Sequence, residues 1–318
     1  MSISMLRRST TLVGLAAISV LALAACGSSS SGSGSSPTGS STTSVAPITK
    51  DATLAALVPA TYAPGGTITV GSDASYAPNE YVDAGQVVGM DVDLGKAIGQ
   101  VLGVTMKFQN APFETIIPNI QSGKYGLGIS SFTANAERQK VVNFATYFNA
   151  GTQWATQTGN PQNIDPANAC GKKIAVQKGT VEVDDINARS KACTTAGKPA
   201  IQVQQYQLQS DATTAVASGK ADAMLADSPI TAYAVKQAPG LQLLGAIYGA
   251  APYGIAIPCG ASKCASPLSG QPKANQDFAN AIQGAVQKLI DGGQYDAILT
   301  KWGVQAGAIT TSVINPAK

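Results

Sequence analysis

The chain contains no histidine. That excludes Ser-His-Asp triads, histidine general acids and every zinc site that needs imidazole. Charge is sparse too: 12% of 318 residues are charged, 21 basic against 18 acidic, which leaves no basic footprint for a nucleic acid. Among the five cysteines no C-x-x-C spacing occurs, so a thiolate zinc site is not indicated and no metal is expected. The phosphate-cradling pattern G-x-x-x-x-G-K-[ST] is also missing, so any ATP-driven work must come from a partner.

The N-terminus carries a processing signal. Arg7 and Arg8 precede an uncharged apolar run over 12–23, then the small residues Ala24 and Ala25, then Cys26. Charged, apolar and small segments in that order make a secretory signal. The run is shorter than the roughly 20 residues of a membrane span. Leu23-Ala24-Ala25-Cys26 resembles the lipobox of bacterial lipoproteins. The resemblance implies cleavage after residue 25 and lipidation of Cys26, which would anchor the protein on the extracytoplasmic face of the cell membrane. Residues 26–50 then read as the lipidated cysteine and a Ser/Gly/Thr-rich tether that buries nothing. Without Arg7 and Arg8 the 21 basic residues become 19 against 18 acidic, a net charge of +1.

The other four cysteines, Cys170, Cys193, Cys259 and Cys264, form an even set in an exported chain, where disulfides are permitted. Four cysteines allow three pairings. Cys170 with Cys193 and Cys259 with Cys264 is favoured because each pair encloses one local segment.

From Thr67 onward, strand and helix patterns alternate. Thr67–Gly71, Val104–Phe108 and Tyr125–Ile129 read as strands, and Asp91–Leu102 and Pro112–Gln121 as helices with apolar stripes. A second series follows a polar interval at 156–168. Strands are expected at Lys173–Val176, Ile201–Gln205, Ala223–Ala226, Leu241–Leu244 and Tyr253–Ile257. Helices are expected at Thr180–Ala192, Gln209–Ser218, Pro229–Gln237, Asn275–Ile290 and Gln294–Trp302. Two βα series argue for an α/β protein with a mainly parallel sheet, divided into two lobes. Ligands of such sheets bind outside the carboxyl ends of the strands.

Several segments carry a family resemblance. Ser130-Ser131-Phe132-Thr133-Ala134-Asn135-Ala136-Glu137-Arg138 contains T-x-x-R-like chemistry between a strand and a helix. Val88–Leu94, Phe113–Ile120, Lys173–Thr180, Asp291–Tyr295 and Lys301–Gly303 match further segments in order. Together, from about Thr67 to Gly303, they resemble the family 3 extracellular solute-binding proteins, the polar amino-acid receptors of ABC importers. The resemblance implies a periplasmic-binding-protein-like fold, two α/β lobes joined by a two-strand hinge. Lobe 1 would be residues 64–153 plus 253–318 and lobe 2 residues 154–252, with crossings near Thr152–Thr156 and Pro252–Gly254. It implies no cofactor, a monomer, and partners in a membrane permease with a cytoplasmic ATPase.

The implied site follows residue by residue. Arg138 matches the arginine that clamps the ligand α-carboxylate, a task suited to a planar guanidinium fork. Ser131 and Thr133 match contacts to the ligand's charged backbone groups. Asp227 matches the acceptor of the α-ammonium. Thr180 and Val181 match a helix start that meets the carboxylate. Tyr76 and Phe113 match aromatic walls, and Asp73 matches a reader of the ligand side chain. Ser130, Gln177 and Glu182 also face the side chain in this reading. Asp73 and Glu182 suit an ammonium, guanidinium or amide end, so a basic amino acid or glutamine is expected over glutamate or aspartate. Three positions depart from the family pattern: Asn79 stands where an aromatic is common, Met90 replaces a phenylalanine, and Val181 lacks a hydroxyl. Two rival readings are a ligand-sensing receptor partner and a prephenate-type dehydratase on the same fold.

Overall fold

The computed structural model describes residues 45–260, 264 and 267–316. The signal segment, Cys26 and the tether as far as residue 44 lie outside the described residues. After a short helix α1 (Ala52–Ala56), strand β1 (Thr67–Ser72) leads into a hairpin of β2 (Ser75–Tyr76), β3 (Glu80–Asp83) and β4 (Gln86–Val88). Helix α2 (Met90–Leu102), β5 (Thr105–Asn110), α3 (Phe113–Gln121), β6 (Leu127–Gly128) and α4 (Ala136–Gln139) complete the first series. A long strand β7 (Asn143–Gln157) carries the chain into the second. There follow β8 (Lys173–Gln177), α5 (Val181–Thr195), β9 (Gln202–Tyr206), α6 (Gln209–Ala217), β10 (Ala223–Asp227) and α7 (Ser228–Gln237). A second long strand, β11 (Leu241–Ile257), returns to the first half, where α8 (Lys273–Asp291) and α9 (Gln294–Trp302) pack. No helix among the described residues is long and apolar enough to cross a membrane.

Eight strands form one sheet in the order β5-β1-β6-β11-β7-β10-β8-β9. β1 is parallel to β5 and β6, and β8 is parallel to β9 and β10. The expectation of a mainly parallel sheet holds within each half and fails at the centre. There β7 runs antiparallel to β11 and β10, and β11 antiparallel to β6. Leu241–Leu244 and Tyr253–Ile257, expected as two strands, are the ends of the single strand β11, and residues 156–157, expected in a polar interval, end β7. The strand expected over Tyr125–Ile129 shortens to Leu127–Gly128. β7 shows no alternation because nearly all its residues are buried, those facing both sides of the sheet included. A strand covered on both faces has no polar side to display, so period 2 disappears.

Each half has its own apolar core. Ile68, Leu94, Ile98, Tyr147, Tyr253 and Phe278 belong to one, and Trp154, Ile174, Val176, Ile186 and Leu225 to another. Along β7 the allegiance changes between Ala150 and Trp154; along β11 it changes between Tyr248 and Tyr253. The fold is thus two α/β lobes joined by two strands, and the cleft between them is where β1, β6, β8 and β10 end.

The disulfides pair Cys170 with Cys193 and Cys259 with Cys264, the local arrangement. The first ties the loop before β8 to the last turns of α5 across 23 residues. Closing a loop of that length restricts the unfolded chain and stabilises by about 3 kcal/mol. The double variant Cys170→Ser/Cys193→Ser should therefore melt roughly 6–12 °C below the parent. A melting temperature within ~2 °C of the parent would show that the bridge adds nothing to the second lobe.

Candidate functional site

The carboxyl ends of β1, β6, β8 and β10 converge with the N-termini of α3 and α5. Asp73 follows β1, Ser130 and Ser131 follow β6, Gln177 ends β8 and Asp227 ends β10. All twelve residues expected at the site, from Asp73 to Asp227 with Glu182 among them, line one cavity there. In this geometry the cavity measures about 10 Å³, room for about one water. A free amino acid enters only if the lobes part.

Each side chain is held by identifiable partners. Arg138 is half-buried, with its guanidinium 5.3 Å from the Phe113 ring and 5.6 Å from the Phe132 ring. Its Nη1 donates to Thr133 O at 3.0 Å in its own lobe, and its Nη2 donates to Gly179 O at 3.1 Å in the other. Two donors of five are used, so three are left for a carboxylate. Desolvation lowers its pKa, opposed by the nearby carboxylates of Glu182 and Asp227. It remains a cation throughout.

Asp227 is buried and accepts a 2.8 Å hydrogen bond from the Tyr76 hydroxyl across the cleft. Burial first, and the charge of Glu182 second, push its pKa up to about 8. Glu182, in the first turn of α5, accepts from Thr152 Oγ1 at 2.9 Å, and its own pKa is raised by burial. When Asp227 and Glu182 ionise beside Arg138, these three groups leave the buried cleft with one more negative than positive charge, which an ammonium group offsets.

Asp73 was expected to read a ligand side chain. Its Oδ1 accepts from Ser75 N (3.1 Å) and Ser75 Oγ (2.6 Å), and its Oδ2 from Phe113 N (2.9 Å) and Gln177 Nε2 (2.8 Å). Burial still raises its pKa. Gln177 thus supplies one of the four donors to Asp73, and it does so from the second lobe. Phe113, which could have been ordinary core, does both: it lines the cavity and stacks on Phe132 at 4.7 Å. Thr180 stands at the N-cap position of α5 without a side-chain cap, its hydroxyl donating to Gln177 O at 2.9 Å, and Val181 is the first residue of the helix. A main-chain N–H there needs no hydroxyl, so the Val181 departure leaves the helix start intact.

Two sets of residues escaped the sequence reading. Glu114 on α3 accepts two hydrogen bonds from Gln207 Nε2 (2.9 and 2.8 Å) and lies 3.6 Å from Lys178 Nζ, both from the second lobe. Beneath the floor, Asn79, Glu80, Asp91 and Tyr147 surround Ser131. Both sets unite residues far apart in sequence, and no local pattern marks such a meeting. The only sequence hint was an acidic residue in the first turn of a helix, which reads as dipole compensation.

These features define a two-lobed solute-binding protein with a charged, buried cleft. The chain belongs to the bacterial extracellular solute-binding proteins, family 3, whose model matches residues 68–305. It is 37% identical to the arginine-binding protein ArgT of Corynebacterium glutamicum, over 82% of this chain and 82% of that protein. It is 29% identical to the ABC transporter glutamine-binding protein GlnH of Bacillus subtilis, over 69% of this chain and 74% of that one. Among solved structures, an ancestral arginine-binding protein bound to arginine superposes with a TM-score of 0.64 and 33% identity, covering 74% of this chain and 98% of that chain.

Proposed function

We propose that the protein captures a free amino acid between its lobes and delivers it to an ABC permease, with arginine, another basic amino acid or glutamine as the ligand. The observation that carries this reading is the meeting of Arg138, Asp227 and Asp73 around one buried cleft. Arg138 takes the α-carboxylate, with the N-terminus of α5 as second anion site. Asp227 takes the α-ammonium. Asp73, released from Gln177, takes the guanidinium, ammonium or amide end. A side-chain carboxylate would face Asp73 and Glu182 without a spare cation. The named ligands of similar proteins, arginine and glutamine, accord with that charge logic.

Lobe 1 in this reading is residues 64–153 plus 253–318, and lobe 2 is 154–252. The ligand favours closure by touching both lobes, since only differential affinity shifts a conformational equilibrium. Cys26 carries the lipid, and the receptor acts as a monomer at the membrane.

A thermal-shift panel of the amino acids on the purified full-length protein tests the ligand. At a hundred times Kd, a ligand of the folded state adds about 2.7 kcal/mol, a rise of roughly 5–10 °C. Arginine, lysine, ornithine or glutamine should give it. Glutamate shifting the melt while those four do nothing would sink the proposal.

A further inference from the structure

The floor of the cleft contains a non-glycine residue in the left-handed region: Ser131 has φ of 52°. For a residue with a Cβ this conformation is costly and persists only where neighbours impose it. The neighbours are two acids. Glu80 on β3 and Asp91 in the first turn of α2 are both fully buried. The hairpin brings them together by closing tightly on the helix start. Asp91 N donates to Asn79 O at 2.9 Å, and Gly89, at φ of 137°, passes so close that a Cβ there would overlap the Asn79 carbonyl.

Asp91 Oδ2 accepts from Ser131 N at 2.8 Å and from the Tyr147 hydroxyl at 2.8 Å. Ser131 Oγ lies 3.3 Å from Asp91 Oδ2 and 3.4 Å from Glu80 Oε2, and accepts from Asn79 Nδ2 at 2.8 Å. Glu80 Oε1 accepts from Ser130 Oγ at 3.0 Å, and Ser130 Oγ in turn accepts from Asp73 N at 2.9 Å. Asp91 Oδ1, also buried, accepts from no amide, hydroxyl or ammonium. A buried carboxylate oxygen without a donor is costly. The side chain of Glu80 meets that of Asp91, and in its acid form it can supply the missing hydrogen.

We propose that Glu80 and Asp91 share a single proton, Glu80 donating to Asp91, and that this acid pair is the positioning device that holds Ser130 and Ser131 in the shape the ligand requires. The titratable groups that face the pair are Asp73 after β1 and Tyr147 on β7; Asn79, Ser130 and Ser131 complete the shell, and none of these is a cation. Two buried like charges without a counter-ion cannot both ionise cheaply. Burial raises both acids, and the charge of Asp91 carries Glu80 further. Glu80 and Asp91 do not line the cavity, so their effect on a ligand passes through Ser130, Ser131 and the main chain of Asp73. The inference rests on the amino-acid reading for its ligand arm alone.

The test has two arms on the full-length protein. Infrared difference spectra at pH 7, parent minus Glu80→Gln, need no ligand. A protonated-carboxyl C=O stretch in the difference is expected; an ionised-carboxylate band in its place overturns the proposal. In the second arm L-arginine is titrated into folded variants. Glu80→Ala should weaken it on the order of 10–100-fold, and Glu80→Gln, which keeps a donor toward Asp91, should restore Kd to within about 3-fold of the parent. If Glu80→Gln binds as weakly as Glu80→Ala, or if Glu80→Ala binds like the parent, the positioning role is wrong. A parent that binds no member of the amino-acid panel would refute the proposed function and leave the infrared arm to decide the acid pair.

Discussion

Arg138→Ala should lower affinity for the amino-acid ligand by about 3–5 kcal/mol, at least ~100-fold, with little change in the melt of the ligand-free protein. The size follows from what the truncation leaves behind. A ligand carboxylate in the cleft would face the N-terminus of α5 but no cation, inside a cavity where Asp227 and Glu182 are also desolvated. The folded protein loses less. Arg138 gives it two hydrogen bonds to carbonyls, Thr133 and Gly179, and two ring contacts on a half-buried side chain. Arg138→Lys should recover only a small part of the affinity, because an ammonium cannot bridge Thr133, Gly179 and a carboxylate from one plane. Calorimetric titration of the parent and both variants checks this. An Arg138→Ala variant within 5-fold (roughly 1 kcal/mol) of the parent would remove Arg138 from the site.

Asp227 should make binding release a proton. With its pKa near 8 in the ligand-free cleft, Asp227 is mostly protonated at pH 6.5. An α-ammonium pairs with the ionised form, so the proton must leave. Affinity should therefore rise by about tenfold per pH unit below 8 and level off above it. Titration at pH 6.5 in two buffers of different ionisation enthalpy should report close to one proton released. Asp227→Asn should abolish that release and weaken binding on the order of 100-fold. The same group acts on the ligand-free fold with the opposite sense. Its folded pKa stands above the ordinary value of 3.8, so the native state holds the extra proton between about pH 4 and 8. The stability Asp227 contributes is present at the acid end of that window and lost as pH rises through 8. Binding that is flat from pH 6 to 8, with no proton released, would show that the ligand ammonium sits elsewhere.

The chain shows how unevenly a site can be written along a sequence. Arg138, Asp227 and the start of α5 are legible because each sits at a strand-to-helix junction, where the carboxyl ends of an α/β sheet gather ligands. Glu80 and Glu114 are not legible. Each looks like a charged residue on a loop or helix start, and each has its meaning in a partner far along the chain: Asp91 and Ser131 for one, Gln207 and Lys178 for the other. Asp73 is intermediate. Its place after β1 was readable, but the four donors that occupy it come from Ser75, Phe113 and Gln177.

What the sequence determined by itself was most of the helices and the flanking parallel strands, because helix stripes, caps and the Pro and Gly breaks are short-range properties. It also determined the absence of histidine chemistry and the family, through segments that each lie within ten residues. The tertiary structure alone decided the central antiparallel pair of β7 and β11: β7, buried along nearly its whole length, loses the alternation that marks a strand, and β11, exposed or half-buried over 242–252, shows its continuity only through its pairing with β7. It alone decided the closeness of the lobes across Tyr76–Asp227 and Gln177–Asp73, and the charge states of the buried acids. A carboxyl group's pKa depends on how much water its neighbours exclude and on which charges they bring, and those neighbours are assembled only when the chain folds.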